Sequence, residues 1–580
     1  MQPDARSFYY LLNFERALAW LSARYADLLA AEERDFIAGF AALPLPSRAL
    51  LVRMLMRKGN LFRASRLVYP EIGSSLDAAA PLVGLGWLER DPTVDADELG
   101  ALLTRTELLS LVGNAQAQRT SRKTALVDAV RAAFPEAAQP YSAWGAPDIA
   151  LSVTIAALCE RLRLLFFGNL HQTWSEFVLA DLGVYQYEAV SFEPSARAFQ
   201  QRADVDAYLA LAACRDALEL LAAQDPHREP EAAAALFVEV MSIEIAGDWL
   251  EMRRAKLLYR LGYRAEQIGA WSLALDAYAA SRWPDARYRR ARVLERRGCF
   301  SEAFDMASRA ACAPESEAEQ QRLARMLPRL RRRLGLPVQR PAAAPRIERS
   351  TLVLDRPEDA ASVEEVVRNH LHVPDAPTFY VENALINSLF GLLCWEAVFA
   401  PLPGAFFHPF QRGPADLHAP DFRTRRAERF AQCFSQLESG AYRTTITRHM
   451  QTKAGIQSPF VFWGVLTPEL VSLALDCLPA EHLKHCFARL SDDIRANRSG
   501  LPDLIRFWPA EKRYELIEVK GPGDRLQDNQ IRWLAYCARV GIPVSVVDVR
   551  WREAAAAAEA AEAAEAATAI EPAPAGGAAA

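Results

Sequence analysis

Lysine is scarce in this 580-residue chain: seven of its 67 basic residues are lysines and the rest are arginines. Cysteine occurs nine times, never as Cys-x-x-Cys and at irregular spacings, which argues against a zinc ribbon and a disulfide scaffold. No uncharged apolar run reaches about eighteen residues, and Met1 to Arg6 leads into no secretory core, so a cytoplasmic, soluble protein with no membrane contact is expected. Net positive charge is missing too. The formal charge is −5, and the stretch from Glu553 onward holds five Glu and no Lys or Arg, which leaves the rest of the chain neutral. Any surface for a polyanion must therefore be a local patch. The Ala- and Arg-heavy, Lys-poor usage resembles that of a GC-rich bacterial genome.

Against that scarcity, one lysine ends a short apolar segment near the C-terminus. Gly500-Leu-Pro-Asp503 is followed, fifteen residues after the aspartate, by Glu518-Val-Lys520-Gly521. The flanking segments 503–508 and 513–520 are short, apolar and rich in aromatic and branched residues, with Pro509 to Lys512 between them, the pattern of a hairpin. Along the second strand Glu518 and Lys520 share one face while Ile517 and Val519 share the other. Pairing brings Asp503 beside Glu518, and two adjacent carboxylates repel unless a cation lies between them. Oxygen ligands favour Mg²⁺ or Mn²⁺. Such an ion activates water for attack on phosphorus, and Lys520 is placed to offset charge developing on the phosphate. The spacing is that of a metal-dependent phosphodiesterase.

The string extends further. Gly500 to Leu504, Glu518 to Pro522, Asp524 to Leu526 and Gln530 to Leu534 recur in order with the spacing of the VRR-NUC branch of the PD-(D/E)xK nucleases, and the chain most closely resembles the Fanconi-associated nucleases. Glu382-Asn-Ala-Leu-Ile-Asn-Ser-Leu-Phe-Gly-Leu-Leu-Cys-Trp395 resembles the helix that gives this family an extra metal-binding glutamate. The resemblance implies that Glu382, Asp503 and Glu518 hold the metal with the Val519 carbonyl, that Lys520 is catalytic, and that Gln530 supports the site.

The resemblance also orders the chain. Residues 1–75 read as a helical DNA-binding module whose Arg53, Arg57, Lys58, Arg63 and Arg66 offer a DNA surface. Residues 76–140 read as a SAP-like module, with helices expected over 97–102, 104–113 and 121–130. Its helix-start amides, with Arg119, Arg122 and Lys123, would hold duplex phosphates. Residues 141–336 read as a tetratricopeptide-like helical array: an offset of 29 aligns Tyr259, Gly269, Trp271 and Ala274 with Tyr288, Gly298, Phe300 and Ala303. A proline-rich linker, 337–350, leads to the nuclease domain, 351–552, and an Ala/Glu-rich tail, 553–580, offers no core-forming face and is expected to be disordered. The expected fold is thus an all-α N-terminal two-thirds followed by an α/β restriction-endonuclease-like domain.

Within residues 251–340, twenty basic residues stand against ten acidic ones, with Arg287, Arg289, Arg290, Arg292, Arg296 and Arg297 closely grouped. Beside the metal ligands, Arg495, Arg498 and Arg525 are further candidates for phosphate contact. In eukaryotic relatives a basic residue near position 529 helps hold a terminal 5′ phosphate; Asn529 is neutral, which implies a weaker preference for phosphorylated ends. His482 and His485 have helical metal spacing but no acidic or cysteine partner nearby, and none is assigned to metal, nor are His370 and His372. The resemblance implies a divalent-metal-dependent nuclease of 5′-flap and branched double-stranded DNA, with 5′→3′ exonuclease activity and a role in interstrand crosslink repair. The alternatives are a four-way-junction resolving nuclease and a non-catalytic adaptor.

Overall fold

A computed structural model describes residues 8–112, 122–134, 136–176, 184–192, 197, 199–221, 229–338, 345–357 and 361–552. The chain forms two compact units, one of Met1–Leu209 with Pro401–Gln411, the other of Ala210–Ala400 with Arg412–Ala580.

In the first unit the helix Tyr9–Tyr25 buries Tyr10, Leu11, Phe14, Leu18, Leu21 and Tyr25, a helical stripe that packs this end of the chain. Helices Ala31–Ala42, Leu45–Leu55 and Ser75–Gly84 follow. Between and after them run β1 (Leu61–Arg63), β2 (Leu88–Arg90), β3 (Thr93–Asp95), β4 (Ala138–Pro140) and β5 (Ala150–Val153). They pair as an antiparallel sheet ordered β1-β5-β2 and a separate β3-β4 ribbon. The all-α expectation is corrected here. Each of these strands spans only three or four residues, too few to display a period of two. Because β5 pairs with β1 and β2, this part of the expected array belongs to the first unit.

The helices Ala96–Leu102, Arg105–Val112 and Lys123–Ala133 form where the SAP-like reading placed them. Asp95 caps the first by accepting from the Asp97 and Glu98 amides, at 2.9 and 2.8 Å. Leu99, Leu108, Leu126 and Val130 close over Tyr141 and Trp144 in one core.

The second unit contains the repeat. Gly269 and Gly298 both adopt left-handed backbone, with φ of 74° and 80°, and each ends one helix two residues before the next begins, at Trp271 and Phe300. Ala274 and Ala303, equivalent in the 29-residue offset, are both fully buried where neighbouring helices touch. Helices Asp248–Gln267, Trp271–Ala280, Ala286–Arg296, Phe300–Cys312 and Glu317–Arg333 thus pack each against the next.

A five-stranded sheet follows, built from β6 (Glu348–Leu354), β7 (Thr378–Tyr380), β8 (Leu504–Trp508), β9 (Arg513–Lys520) and β10 (Val544–Trp551) in the order β6-β10-β9-β8-β7. β8 pairs antiparallel with β9 in the register Leu504↔Ile517, as the hairpin pattern predicts. The helix Asp528–Arg539 crosses over to bring β10 parallel to β9. Ile517 and Val519 pack with Val367, Val547 and Val549, which leaves the other face of β9 for Glu518 and Lys520. β6 begins at Glu348, so strand pairing takes the last residues of the expected linker. The expected tail lies outside the described residues. Among the described residues no helix is long and apolar enough to cross a membrane.

Candidate active site

Asp503 sits immediately before β8, at the end of a turn that Gly500 makes possible. Gly500 has φ of +92°, and a Cβ there would lie 2.8 Å from the Asn529 backbone carbonyl carbon, so only glycine fits both the conformation and the space. The Asp503 carbonyl accepts from the Val381 and Glu382 amides, at 2.8 and 3.1 Å, which fastens the turn before helix Leu385–Leu393 to the start of β8. Asn383, at φ 51°, completes the clasp: its Oδ1 accepts from the Leu501 amide at 3.0 Å and its Nδ2 donates to Glu382 Oε1 at 3.3 Å. Tyr380, two residues before Glu382, donates its hydroxyl to Glu382 Oε2 at 2.5 Å. Glu382 therefore lies in a turn ahead of its helix, exposed at the rim of the site.

The floor is buried: Asp503, Glu518 and Lys520 are 6%, 0% and 8% exposed. Asp503 Oδ2 accepts from the Val519 amide at 2.8 Å, and Lys520 Nζ lies 2.7 Å from Glu518 Oε1. Beyond that ammonium, neither Glu518 oxygen has a hydrogen-bond donor among the described residues, although both are buried. Burial pushes the Asp503 carboxyl up to about 6; the Val519 amide and Lys520 oppose this, and the charges of Glu364 and Glu382 add to it. Burial, then the charge of Asp503, pushes Glu518 up to about 7 against the pull of Lys520. These are neighbouring acids short of positive charge. Among the described residues, however, no three His, Cys, Asp or Glu side chains close to metal-ligand distance. Glu382 is instead turned to Tyr380, and Glu518 to Lys520.

Three participants went unnoticed in the sequence. Tyr380 and Asn383 hold Glu382, and Glu364, in the first turn of helix Val363–Leu371, contributes charge to the site. Gln530 Oε1 accepts from the Gln527 amide at 2.8 Å, so this side chain caps the helix after Lys520. His482 contacts the Tyr514 hydroxyl, at 2.8 Å.

The basic candidates sort by partner. In the N-terminal module Arg53 is paired with Glu71, and Arg63 is buried against Glu107 and Asp148. Arg57 donates to the Arg66 carbonyl, at 3.2 Å. That expected DNA surface is thus reduced to Arg57, Lys58 and Arg66, which remain exposed. In the array, Arg287 is tied to Glu319 and Arg289 to Glu266. Arg122 and Lys123 are exposed at the start of their helix, while Arg119 lies outside the described residues. Arg525 is exposed, and Arg498 donates to the Pro459 carbonyl at 3.0 Å. The Arg495 guanidinium lies 4.7 Å from the Trp283 ring centre and the Lys256 ammonium 5.5 Å from it. Asn529 donates to the Ser499 hydroxyl at 3.3 Å.

Three family models match the chain: "FAN1, HTH domain" over residues 8–89, "Fanconi anemia-associated nuclease SAP domain" over 94–144, and "VRR-NUC domain" over 437–551. The last contains Asp503, Glu518 and Lys520 but not Glu382. The chain is 52% identical to the Fanconi-associated nuclease 1 homolog of Pseudomonas aeruginosa over 546 residues, 94% of this chain and 96% of that protein. It is 25% identical to the Arabidopsis thaliana homolog over 619 residues, 95% of this chain and 68% of that one. Its structure matches the crystal structure of paFAN1 bound to 2-nt 5′ flap DNA with a gap at a TM-score of 0.89 and 51% identity, covering 95% of this chain and 99% of that one. The complex with 1-nt 5′ flap DNA gives a TM-score of 0.87, covering 94% and 99%.

Proposed function

The chain belongs to the Fanconi-associated nuclease family, and from that premise we propose that it incises 5′-flap and branched double-stranded DNA with Mg²⁺ or Mn²⁺, continues 5′→3′ as an exonuclease, and serves interstrand crosslink repair in the cytoplasm of a bacterial cell. The observation that carries the reading is Glu518, fully buried beside Asp503 with two oxygens that, among the described residues, no donor besides Lys520 approaches.

Hard oxygen donors that repel one another fit a divalent ion. Asp503, Glu518, the Val519 carbonyl and Glu382 would hold it. When bound, such an ion supplies Lewis-acid stabilisation of the phosphate and activates water. Lys520 keeps its ammonium at the same end of β9, where it offsets negative charge growing on the phosphate oxygens. Burial excludes bulk water from the floor and strengthens each of these charges. Water rather than an enzyme side chain attacks, so no covalent enzyme intermediate forms.

Arg122 and Lys123 would grip duplex phosphates from a helix start, and Arg495, Arg498 and Arg525 would grip them beside the cut. Lys256 stands with Arg495 at Trp283 and brings from the array a cation that Asn529 does not carry. Asn529 itself is neutral, so a weaker preference for phosphorylated 5′ ends is expected.

The test is cleavage of an end-labelled 5′ flap with Mg²⁺ or Mn²⁺ by wild type and Asp503→Ala, beside a matched linear duplex. Cutting near the junction that vanishes in the variant is the expected result. Undiminished cutting by the variant would remove Asp503 from the site, equal cutting of a four-way junction would favour a resolving nuclease, and no cutting by wild type would favour the adaptor.

A further inference from the structure

The arginines of the array fall into two sets. One set is spent on buried acids, as Arg287 is on Glu319 and Arg289 on Glu266. The other faces a cleft of about 320 Å³ among the helices Trp271–Ala280, Ala286–Arg296 and Phe300–Cys312. Its lining includes Arg282, Arg290 and Arg309 with Trp283 and Met306, and on the wall Glu315 beside the acid-paired Arg287. Glu315 is engaged with Arg287, at 3.3 Å. Among the described residues, Arg282, Arg290 and Arg309 have no acidic partner, and Arg290 Nε is buried without an acceptor.

Trp283 links this cleft to a second group of cations. Lys256 and Arg495 approach the same indole, at 5.5 and 4.7 Å, and they too lack acidic partners among the described residues. Arg495 lies eight residues before Asp503. Burial and the neighbouring charges of Arg260, Arg253 and Arg495 make the Lys256 ammonium harder to keep protonated. Five cations without acidic partners among the described residues thus surround one half-buried indole, three in the cleft it lines and two against its ring. A peptide carboxylate would answer one of them. A strand with a phosphate at every residue and bases able to stack answers the row, which is how single strands are held without reading sequence.

We propose that this cleft is a binding site for single-stranded DNA, the displaced 5′ flap beyond its first nucleotide, with Arg282, Arg290 and Arg309 on phosphates and Trp283 against a base. The proposal rests on the flap reading above. It assigns the array a role that depends on flap length, separate from the cut itself.

The double variant Arg290→Glu/Arg309→Glu is compared with Arg332→Glu/Arg333→Glu, which carries the same charge change on the same array outside the cleft. Each is given a flap of one nucleotide and a flap of about fifteen thymidines, a length that spans a single-strand groove. The expected result is a KM for the long flap about tenfold higher in the cleft variant alone, as loss of two or more phosphate contacts implies, with the short flap unchanged. An equal loss on both flaps, or none on either, overturns the proposal. A photoreactive thymidine analogue placed in the long flap should crosslink wild type within the peptide bearing Trp283, and crosslinks confined elsewhere overturn it without recourse to a variant. Retention of a glutamate-rich peptide by wild type but not by the cleft variant, with both flaps handled alike, assigns the cleft to a protein partner and also overturns it. Failure of the flap reading is visible separately, as wild type cutting neither flap.

Discussion

Glu33 in the first unit and Glu518 in the second are both 0% exposed, yet they are opposite kinds of residue. Glu33 accepts from Arg161 at 2.9 Å, from Arg202 at 2.7 Å and from the Ala30 amide at 2.8 Å. Burial alone would raise its pKa, but Arg202, the Ala30 amide and Arg161 together hold it below the usual carboxylate range. Glu518 has one lysine and an acidic neighbour, and burial with that neighbour drives it up to about 7. The contrast teaches that burial does not mark a functional acid; a shortage of donors does. Arginines divide the same way. Arg63, 6% exposed, is ion-paired with both Glu107 and Asp148, whereas Arg495 has an indole and no acid among the described residues.

The largest effects should come from exchanging each glutamate for its amide. Glu518→Gln should lower single-turnover cleavage on the order of a thousandfold or more, because a ligand charge is lost at the reacting centre. Metal-free unfolding should be unchanged or shifted to higher temperature, since an unsatisfied buried carboxylate is removed. Glu33→Gln should do the reverse: two guanidiniums lose their charge partner, a loss of about 3–5 kcal/mol, while the folded fraction still cuts at the wild-type rate. Calorimetry beside single-turnover assays separates the two, and equal destabilisation by both would end the comparison.

Next comes pH. Asp503 and Glu518, raised to about 6 and 7, prefer their neutral forms in the folded protein. Their contribution favours folding at low pH and is lost as pH climbs from the ordinary carboxylate range, about 4, through those values. Metal binding demands both as carboxylates, so the half-saturating Mg²⁺ concentration should rise steeply as pH falls below about 7. Thermal shifts produced by Mg²⁺ should accordingly be larger at pH 8 than at pH 6. Glu33, with its pKa lowered, carries the opposite sign: its stabilisation is present at neutral pH and fades only below the ordinary glutamate value. A Mg²⁺ requirement that does not change between pH 6 and 8 would show that the two site carboxylates are not raised.

A smaller effect separates the arginines. Arg495→Ala should weaken flap binding about tenfold and reduce the salt slope by about one, with no change in melting temperature. Arg63→Ala should leave Glu107 and Asp148 short of a partner and lower the melting temperature of its own unit, with DNA affinity per folded molecule preserved. Fluorescence anisotropy over a salt series, with Ca²⁺ in place of Mg²⁺, reads the first difference, and calorimetry the second.

What the sequence disclosed and what it hid follow the same division. The β8–β9 pair was legible because its pattern is local, and the 29-residue repeat because Gly269 and Gly298 mark equivalent helix ends. The five short strands of the first unit were not, since pairing partners far apart in the chain define them. Arg53 and Arg63 read as a DNA surface only because their partners lie far along the chain: Glu107 is 44 residues from Arg63. Satisfaction is a three-dimensional property. The contact Gln530 makes was hidden for a related reason, because a motif position identifies a neighbour of the site without saying which group its amide reaches.

Tyr380 offers the finest test of the contrast, because it supplies Glu382 with a donor that Glu518 does not have. Its hydroxyl sits 2.5 Å from Glu382 Oε2, while Asn383 takes the other oxygen. Each carboxylate oxygen has two lone pairs, so the hydrogen bond fixes the direction of one and leaves the other for a cation. Tyr380→Phe removes that orientation without touching charge or the packing of the ring. The half-saturating metal concentration should rise about threefold, in keeping with a neutral hydrogen bond of about 0.5–1.5 kcal/mol, and the rate at saturating metal should stay near wild type. Were Glu382 only a rim residue, the metal dependence would not move at all. Were Tyr380 needed for the chemistry itself, the rate at saturation would fall instead. A metal titration of the single variant therefore places Glu382 among the satisfied residues or among the ligands.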